Sequence, residues 1–359
     1  MIYIRNIIYK RRSEMEISIV NKLDKLLDKA IDNKKIFGSV INIESSDGEF
    51  SWIKAAGKME TDTQYAIASI TKMYTAAVII KLIEEGLLSF DDTIDRFFPK
   101  EYLSGLHIYK GKEYTYSITI RQLLSHTTGL PDCYTEKNVK GKSYFDEMCE
   151  KDRALTFDEA LERTKSLRPH FINGEKGKAF YSDINFDLLG EIAKKIADKE
   201  LECIYNQFII EPLRLGHTSL GKATSIFAPI YLNTNPLNRP LFVASAGASG
   251  GIVSTAQDTM KFLKSFYTGK LFNKSYLPML YQWNRIQWFP IEYGMGMMRC
   301  KMSRLMSPLF PAPEIIGHSG STGTFAFYCP SQSLFITGTI NQINKHPFQL
   351  IYLLLHCFD

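Results

Sequence analysis

Ser69-Ile70-Thr71-Lys72 places a hydroxyl and an amine three residues apart at the head of a mostly apolar stretch, 73–88. In a helix, side chains at i and i+3 share a face. A serine beside an amine can be activated as a nucleophile for acyl transfer. Helix N-terminal N–H groups favour the negative charge that develops on the attacked carbonyl oxygen. Two other stretches share the spacing. Ser51-Trp52-Ile53-Lys54 lies in an alternating segment, 50–55, that reads as a strand, where i and i+3 point to opposite faces. Ser219-Leu220-Gly221-Lys222 is interrupted by Gly221 and follows Gly216, so it reads as a loop. Of the three, the copy at Ser69 has a scaffold that brings the pair together.

Acyl transfer also needs a proton acceptor and two N–H donors for the oxyanion. Tyr181-Ser182-Asp183 stands just before a helical pattern over 184–197, which puts the tyrosine at a helix start with its hydroxyl free to point outwards. Tyr144-Phe145-Asp146 and Tyr231-Leu232-Asn233 have the same spacing, so spacing does not choose among the three. His318-Ser319-Gly320 is followed by Ser321-Thr322-Gly323 and an apolar run over 324–328. Small residues there let a substrate backbone lie against a strand edge. His126 offers a different solution, the base of a Ser–His–Asp triad.

The elements that must carry these residues are readable from periodicity. Apolar residues at helical spacing over 17–31 predict a helix. Alternation over 38–44 and 49–56 around Ser46-Asp47-Gly48 predicts a hairpin. Short helical patterns at 118–125, 157–166 and 185–197 follow the Ser69 helix, with few strand signals before about residue 240. Beyond 241 come a Gly- and Ser-rich patch at 245–254, a helix at 256–267, strands at 324–329 and 333–340, and a leucine-rich closing helix at 347–358. The pattern predicts an α/β (α+β) fold with an antiparallel sheet built from the N- and C-terminal segments and flanked by helices. Residues 15–88 plus 241–359 would form the sheet domain, 89–240 a mostly helical insertion, and 1–14 a tail, with Met15 as an alternative start. The site would lie between the two lobes, a preferred place for pockets.

The 359 residues, 45% hydrophobic and 23% charged, suit a soluble protein of one large or two modest domains. The net charge of +5 is dispersed, with no basic stripe interleaved with aromatics, which excludes nucleic acid as the expected partner. Six cysteines show no C-x-x-C and no metal-like grouping with histidine, so they read as buried free thiols. No cofactor or metal is expected. Free thiols and the lack of a signal-peptide apolar core in 1–14 predict a cytoplasmic location. No apolar run reaches about 18 residues, so no stable membrane insertion is expected.

The chain resembles the serine β-lactamase-like family, which holds class C β-lactamases, D-alanyl-D-alanine carboxypeptidases and related esterases. The resemblance covers roughly residues 37–341. It is carried by Tyr65-Ala66-Ile67-Ala68-Ser69-Ile70-Thr71-Lys72, by the block from Ile118 to Pro131 with Ser125-His126-Thr127-Thr128-Gly129 at its centre, by the block from Tyr181 to Gly190, and by Gly317-His318-Ser319-Gly320. Ser245-Ala246-Gly247-Ala248-Ser249-Gly250-Gly251 and Tyr293-Gly294-Met295-Gly296 fit as well. The resemblance implies a β-lactamase/transpeptidase-like fold and an acyl-enzyme on Ser69. Lys72 and Tyr181 would share the base and acid roles, the N–H groups of Ser69 and Ser321 would form the oxyanion hole, and Asp183, His318, Ser319 and Gly320 would line the substrate-binding cleft. It also implies that His126 is structural.

Two departures stand out. Asp183 replaces the asparagine of class C β-lactamases, and a carboxylate there would favour a charged Lys72. Tyr181 would then be the proton acceptor, its pKa lowered by Lys72 and a cationic His318. His318 replaces the lysine typical of β-lactamases. Histidine titrates near pH ~6.5, so KM for a carboxylate-bearing substrate should climb between about pH 6 and 8. The expected function is a serine hydrolase of amide or ester bonds, a D-amino-acid peptidase or carboxylesterase with weak β-lactamase activity at most, acting on a small-molecule or peptide substrate. The opposing reading is a penicillin-recognising sensor that does not turn over.

Overall fold

The computed structural model describes residues 2–302 and 312–359, with side chains from residue 14 onward. Eight antiparallel strands form one sheet. Its spatial order is Asn284–Arg285, Ile291–Tyr293, Met298–Cys300, Ile315–Ser319, Thr324–Cys329, Leu334–Thr339, Gly38–Ser45 and Ser51–Gly57. The two ends of the sequence meet where Val40 pairs with Thr339 and Ile43 with Ile336. The sheet is therefore assembled from both terminal segments, as the alternation predicts.

Alternation along each strand divides the core in two. Ile41, Ile43, Phe325, Phe327, Leu334 and Ile336 face a cluster completed by Leu23 and Leu27 of the N-terminal helix Ile2–Ala30 and by Ile351 and Leu354 of the helix Phe348–Leu355. Val40, Ala326 and Phe335 face the opposite cluster, which contains the helices Ala256–Thr268 and Thr71–Glu84. The N-terminal helix reaches back to Ile2, well before the expected start. In the segment read above as a tail, the side chains of residues 1–13 lie outside the described residues.

The helix Thr71–Glu84 is buried almost all round, from Thr71 to Ile80, because it lies between the sheet and the helical region. The helices Ile120–Leu124, Phe157–Lys165 and Ile184–Ala197 pack beyond it. Thr119 and Gln122 form a reciprocal capping box that stops the first of these from fraying. The stretch 245–254, read above as a patch, holds the end of the helix Pro240–Ser245, the short helix Gly247–Gly250 and the strand Ile252–Ser254. All six cysteines are free. Cys133, Cys300, Cys329 and Cys357 are buried as expected, whereas Cys203 is exposed and Cys149 half-buried.

Candidate active site

The competing Ser-x-x-Lys stretches separate as expected. Ser51 and Lys54 lie in the strand Ser51–Gly57, and Ser219 lies in the two-residue strand Ser219–Leu220. Ser69 sits in a single 3-10 turn, Ala68–Ile70, that runs into the helix Thr71–Glu84. Ala68 has φ of +49°, a left-handed conformation that an L-residue adopts at a cost of about 1–2 kcal/mol. This bend leaves Ser69 half-exposed at the helix N-terminus while its neighbours are buried.

Lys72 is fully buried, and an unpaired ammonium there would cost several kcal/mol. Its Nζ donates to Asp183 Oδ1 at 2.5 Å, to the Ser249 carbonyl at 2.6 Å and to Ser69 Oγ at 3.3 Å. These contacts use all three N–H bonds of an ammonium. Three acceptors from three segments thus hold the amine against the nucleophile. The Gly247–Gly250 helix, read above as part of a Gly- and Ser-rich patch without a role, supplies one of them.

Tyr181 joins this group, and the other two triplets do not. The Tyr144 hydroxyl donates to the Arg153 carbonyl, and Tyr231 stacks on Phe37. Lys72 Nζ lies 5.0 Å from the centroid of the Tyr181 ring. The tyrosine is 4% exposed, so its hydroxyl does not point out into solvent as the helix-start reading expected. Among the described residues only the Ser69 hydroxyl lies near enough to act on that hydroxyl, and no hydrogen bond of good geometry reaches it. Burial, then the charge of Asp183, push its pKa well above the usual tyrosine value, and the nearby Ser69 hydroxyl offsets this only in part. The expected lowering is therefore reversed, and Tyr181 keeps its proton in the resting site.

His318 requires the second correction. Its ring is fully buried, its Nδ1–H donates to the Ser319 carbonyl at 2.7 Å, and its Nε2 accepts from the Tyr293 hydroxyl at 3.1 Å. Burial and then the Lys72 charge push its pKa down to about 3. The ring is neutral at every pH above that, so it offers no cation to a substrate carboxylate. KM for a carboxylate-bearing ester is expected to follow that of its neutral analogue between about pH 6 and 8. A KM that climbs for the charged ester alone would restore a titrating His318.

His126 positions the tyrosine block. It is buried, has φ of +57°, and its Nδ1 accepts from Ser182 N–H at 3.2 Å and Asn185 Nδ2 at 2.9 Å. Burial and the Lys72 charge hold its pKa well below the ordinary value, which keeps it an acceptor. Asp132, which has no part in the sequence reading, accepts the Asp183 N–H at 3.1 Å. Burial and then Asp183 raise its pKa to about 7. Nothing in the local sequence marks Asp132, because its partner lies 51 residues away.

The turn after His318 is fastened to the segment before the nucleophile. Thr322 Oγ1 donates to the Ala66 carbonyl at 3.0 Å and Thr324 Oγ1 to the Ile67 carbonyl at 2.9 Å. A Cβ on Gly320 would lie 2.7 Å from the Ile67 carbonyl oxygen and 2.9 Å from Ala68 Cβ. Only glycine permits this approach, which brings Ser321, exposed in the turn, to the Ser69 side of the sheet. Ser319 is half-buried, with its Oγ 3.7 Å from Met298 Sδ.

Residues 23–351 match a family model described as Beta-lactamase. The chain is 27% identical over 323 residues to the "Putative D-alanyl-D-alanine carboxypeptidase" of Escherichia coli (strain K12), covering 79% of this chain and 70% of that protein. It is 27% identical over 258 residues to Protein flp of Staphylococcus aureus (strain N315), covering 68% of this chain and 48% of that protein. The chain thus spans about half the length of this second relative or less. Among solved structures, the octameric penicillin-binding protein homologue from Pyrococcus abyssi superposes with a TM-score of 0.75 at 25% identity, over 94% of this chain and 76% of that one. The hydrolase EstCE1 superposes with a TM-score of 0.77 at 19% identity, over 96% and 99% of the two chains. A D-stereospecific amidohydrolase from Streptomyces sp. superposes with a TM-score of 0.75 at 24% identity, over 92% and 97%. The last two establish the fold alone.

Proposed function

The chain belongs to the beta-lactamase family, and from that premise we propose that it is a serine hydrolase that forms an acyl-enzyme on Ser69 and cleaves amide or ester bonds. The observation that carries this reading is the contact of the half-exposed Ser69 Oγ with a buried lysine amine that is itself paired with a carboxylate. The name of one relative, a putative D-alanyl-D-alanine carboxypeptidase, favours substrates related to D-amino-acid peptides, amides or esters.

The protonation states suggest the path of the proton. Tyr181 holds its proton, and the His318 nitrogens are both engaged. Lys72 can accept the serine proton only as it releases one. Asp183 Oδ1, 2.5 Å away, is placed to receive it. As Ser69 Oγ attacks the carbonyl carbon, its proton passes to Lys72 Nζ and a lysine proton passes to Asp183. The N–H groups of Ser69 and Ser321 receive the oxyanion. When the tetrahedral intermediate collapses, Tyr181 gives its proton to the departing alcohol or amine. Lys72 and Asp183 return the serine proton to the tyrosine. Water then attacks the acyl-enzyme by the reverse path and regenerates Ser69. On this path Asp183 acts as a proton acceptor, a role that differs from the substrate contact the resemblance implies.

Intact mass spectrometry with p-nitrophenyl acetate and with a penicillin tests the reading. A transient mass increase that maps to the peptide bearing Ser69, with product released and with no increase in Ser69→Ala, is the expected result. A stable penicillin adduct without ester turnover would favour a sensor instead. Labelling that persists in Ser69→Ala would remove Ser69 from the chemistry.

A further inference from the structure

Two large aromatic side chains stand exposed on one loop and take no part in the proton path. Trp288 is 43% and Phe289 73% exposed, on the loop between the edge strands Asn284–Arg285 and Ile291–Tyr293. This loop is fixed to Tyr181. Gln287 Oε1 accepts the Tyr181 N–H at 2.9 Å, and Gln287 Nε2 donates to the Tyr181 carbonyl at 3.1 Å. Ile286, just before it, is buried in the core. The Trp288 ring packs on the Tyr181 ring, with centroids 4.9 Å apart and planes at 44°. Exposed apolar surface costs free energy unless something covers it, and here it adjoins Tyr181, which protonates the leaving group in the proposed proton path.

We infer that Trp288 is a specificity-determining residue that binds the leaving-group portion of the substrate and selects an alcohol or amine bearing a flat apolar group, such as an aromatic ring. The inference rests on the proposed role of Tyr181. The atom that receives the tyrosine proton must lie within hydrogen-bond reach of the hydroxyl, so whatever that atom carries extends past the Tyr181 ring. There it meets Trp288. An aromatic ring packed on Trp288 gains both burial and ring-ring attraction. The acyl portion starts from Ser69 and has no need to cross the tyrosine.

Two ester series separate these sides. In the first, acetate esters of ethanol and benzyl alcohol give the same acetyl-enzyme and differ only in the leaving group. In the second, ethyl acetate and ethyl phenylacetate differ only in the acyl group. For Trp288→Ala, the benzyl-to-ethyl ratio of kcat/KM in the first series is expected to fall about tenfold, or ~1.4 kcal/mol, and the ratio in the second series to stay unchanged. Trp288→Phe should restore most of the first ratio, which loss of folding would not allow. An unchanged leaving-group ratio, or a change confined to the acyl series, overturns the inference. Turnover retained in Ser69→Ala would instead overturn the hydrolase reading beneath it.

Discussion

Asp183→Asn is expected to lower kcat/KM for ester cleavage about 10²–10³-fold at pH 7. Asparagine has nearly the shape of aspartate, and its carbonyl oxygen can still accept from Lys72, so the contact at 2.5 Å survives in outline. What disappears is the capacity to take a proton. The amine must then shed its own proton before it can receive one from Ser69. The activity that remains should therefore rise more steeply towards alkaline pH than that of the unaltered protein. Steady-state kinetics across pH distinguish this from a structural defect, which would lower activity equally at every pH. A variant within about threefold of the unaltered protein at pH 7, with the same pH profile, would remove Asp183 from the proton path.

Tyr181→Phe is expected to reduce kcat/KM, which reports acylation, about 10²–10⁴-fold for esters of poorly acidic alcohols, because the departing alkoxide loses its proton donor. The loss should shrink for p-nitrophenyl esters, whose leaving group departs without a proton. Stability should move the other way. The Tyr181 hydroxyl is buried with only the Ser69 hydroxyl near it, so much of its desolvation, about 1–3 kcal/mol, is left without compensation. Removing it leaves Ser69 its contact with Lys72, so the thermal midpoint should hold or rise. A midpoint that falls steeply, or a loss equal for both ester classes, would assign the hydroxyl a structural role.

The parts of the molecule legible in the sequence are those governed by local pattern. The helix Ile184–Ala197 and the hairpin around Gly48 follow from spacing that any window of a dozen residues displays. The strands at the sheet edge are different. Ile291–Tyr293 and Met298–Cys300 span three residues each, too few for alternation to register, and they exist because each pairs with the next. Among the site residues, Ser69 and Lys72 are neighbours on one turn, so their contact could be foreseen. The states of Tyr181 and His318 could not. Each depends on burial by residues remote in sequence: Trp288 and Tyr293 for the tyrosine, and Tyr293 and Lys72 for the histidine. Spacing predicts which groups can meet, whereas protonation follows from what surrounds them after folding.

The hydroxyls of Thr322 and Thr324 bind carbonyls 256 and 257 residues earlier in the chain. A nascent chain exposes the Ser69 hydroxyl long before the turn at Ser321 has been made, and until then half of the proposed oxyanion pocket is missing. Contacts of such long sequence separation form slowly. Turnover should accordingly appear among the last events of refolding, after the helices have regained their circular dichroism. On the proposed mechanism the chain thereby carries its own clock for completed folding, with the nucleophile held idle until the turn between the central strands Ile315–Ser319 and Thr324–Cys329 has closed beside it.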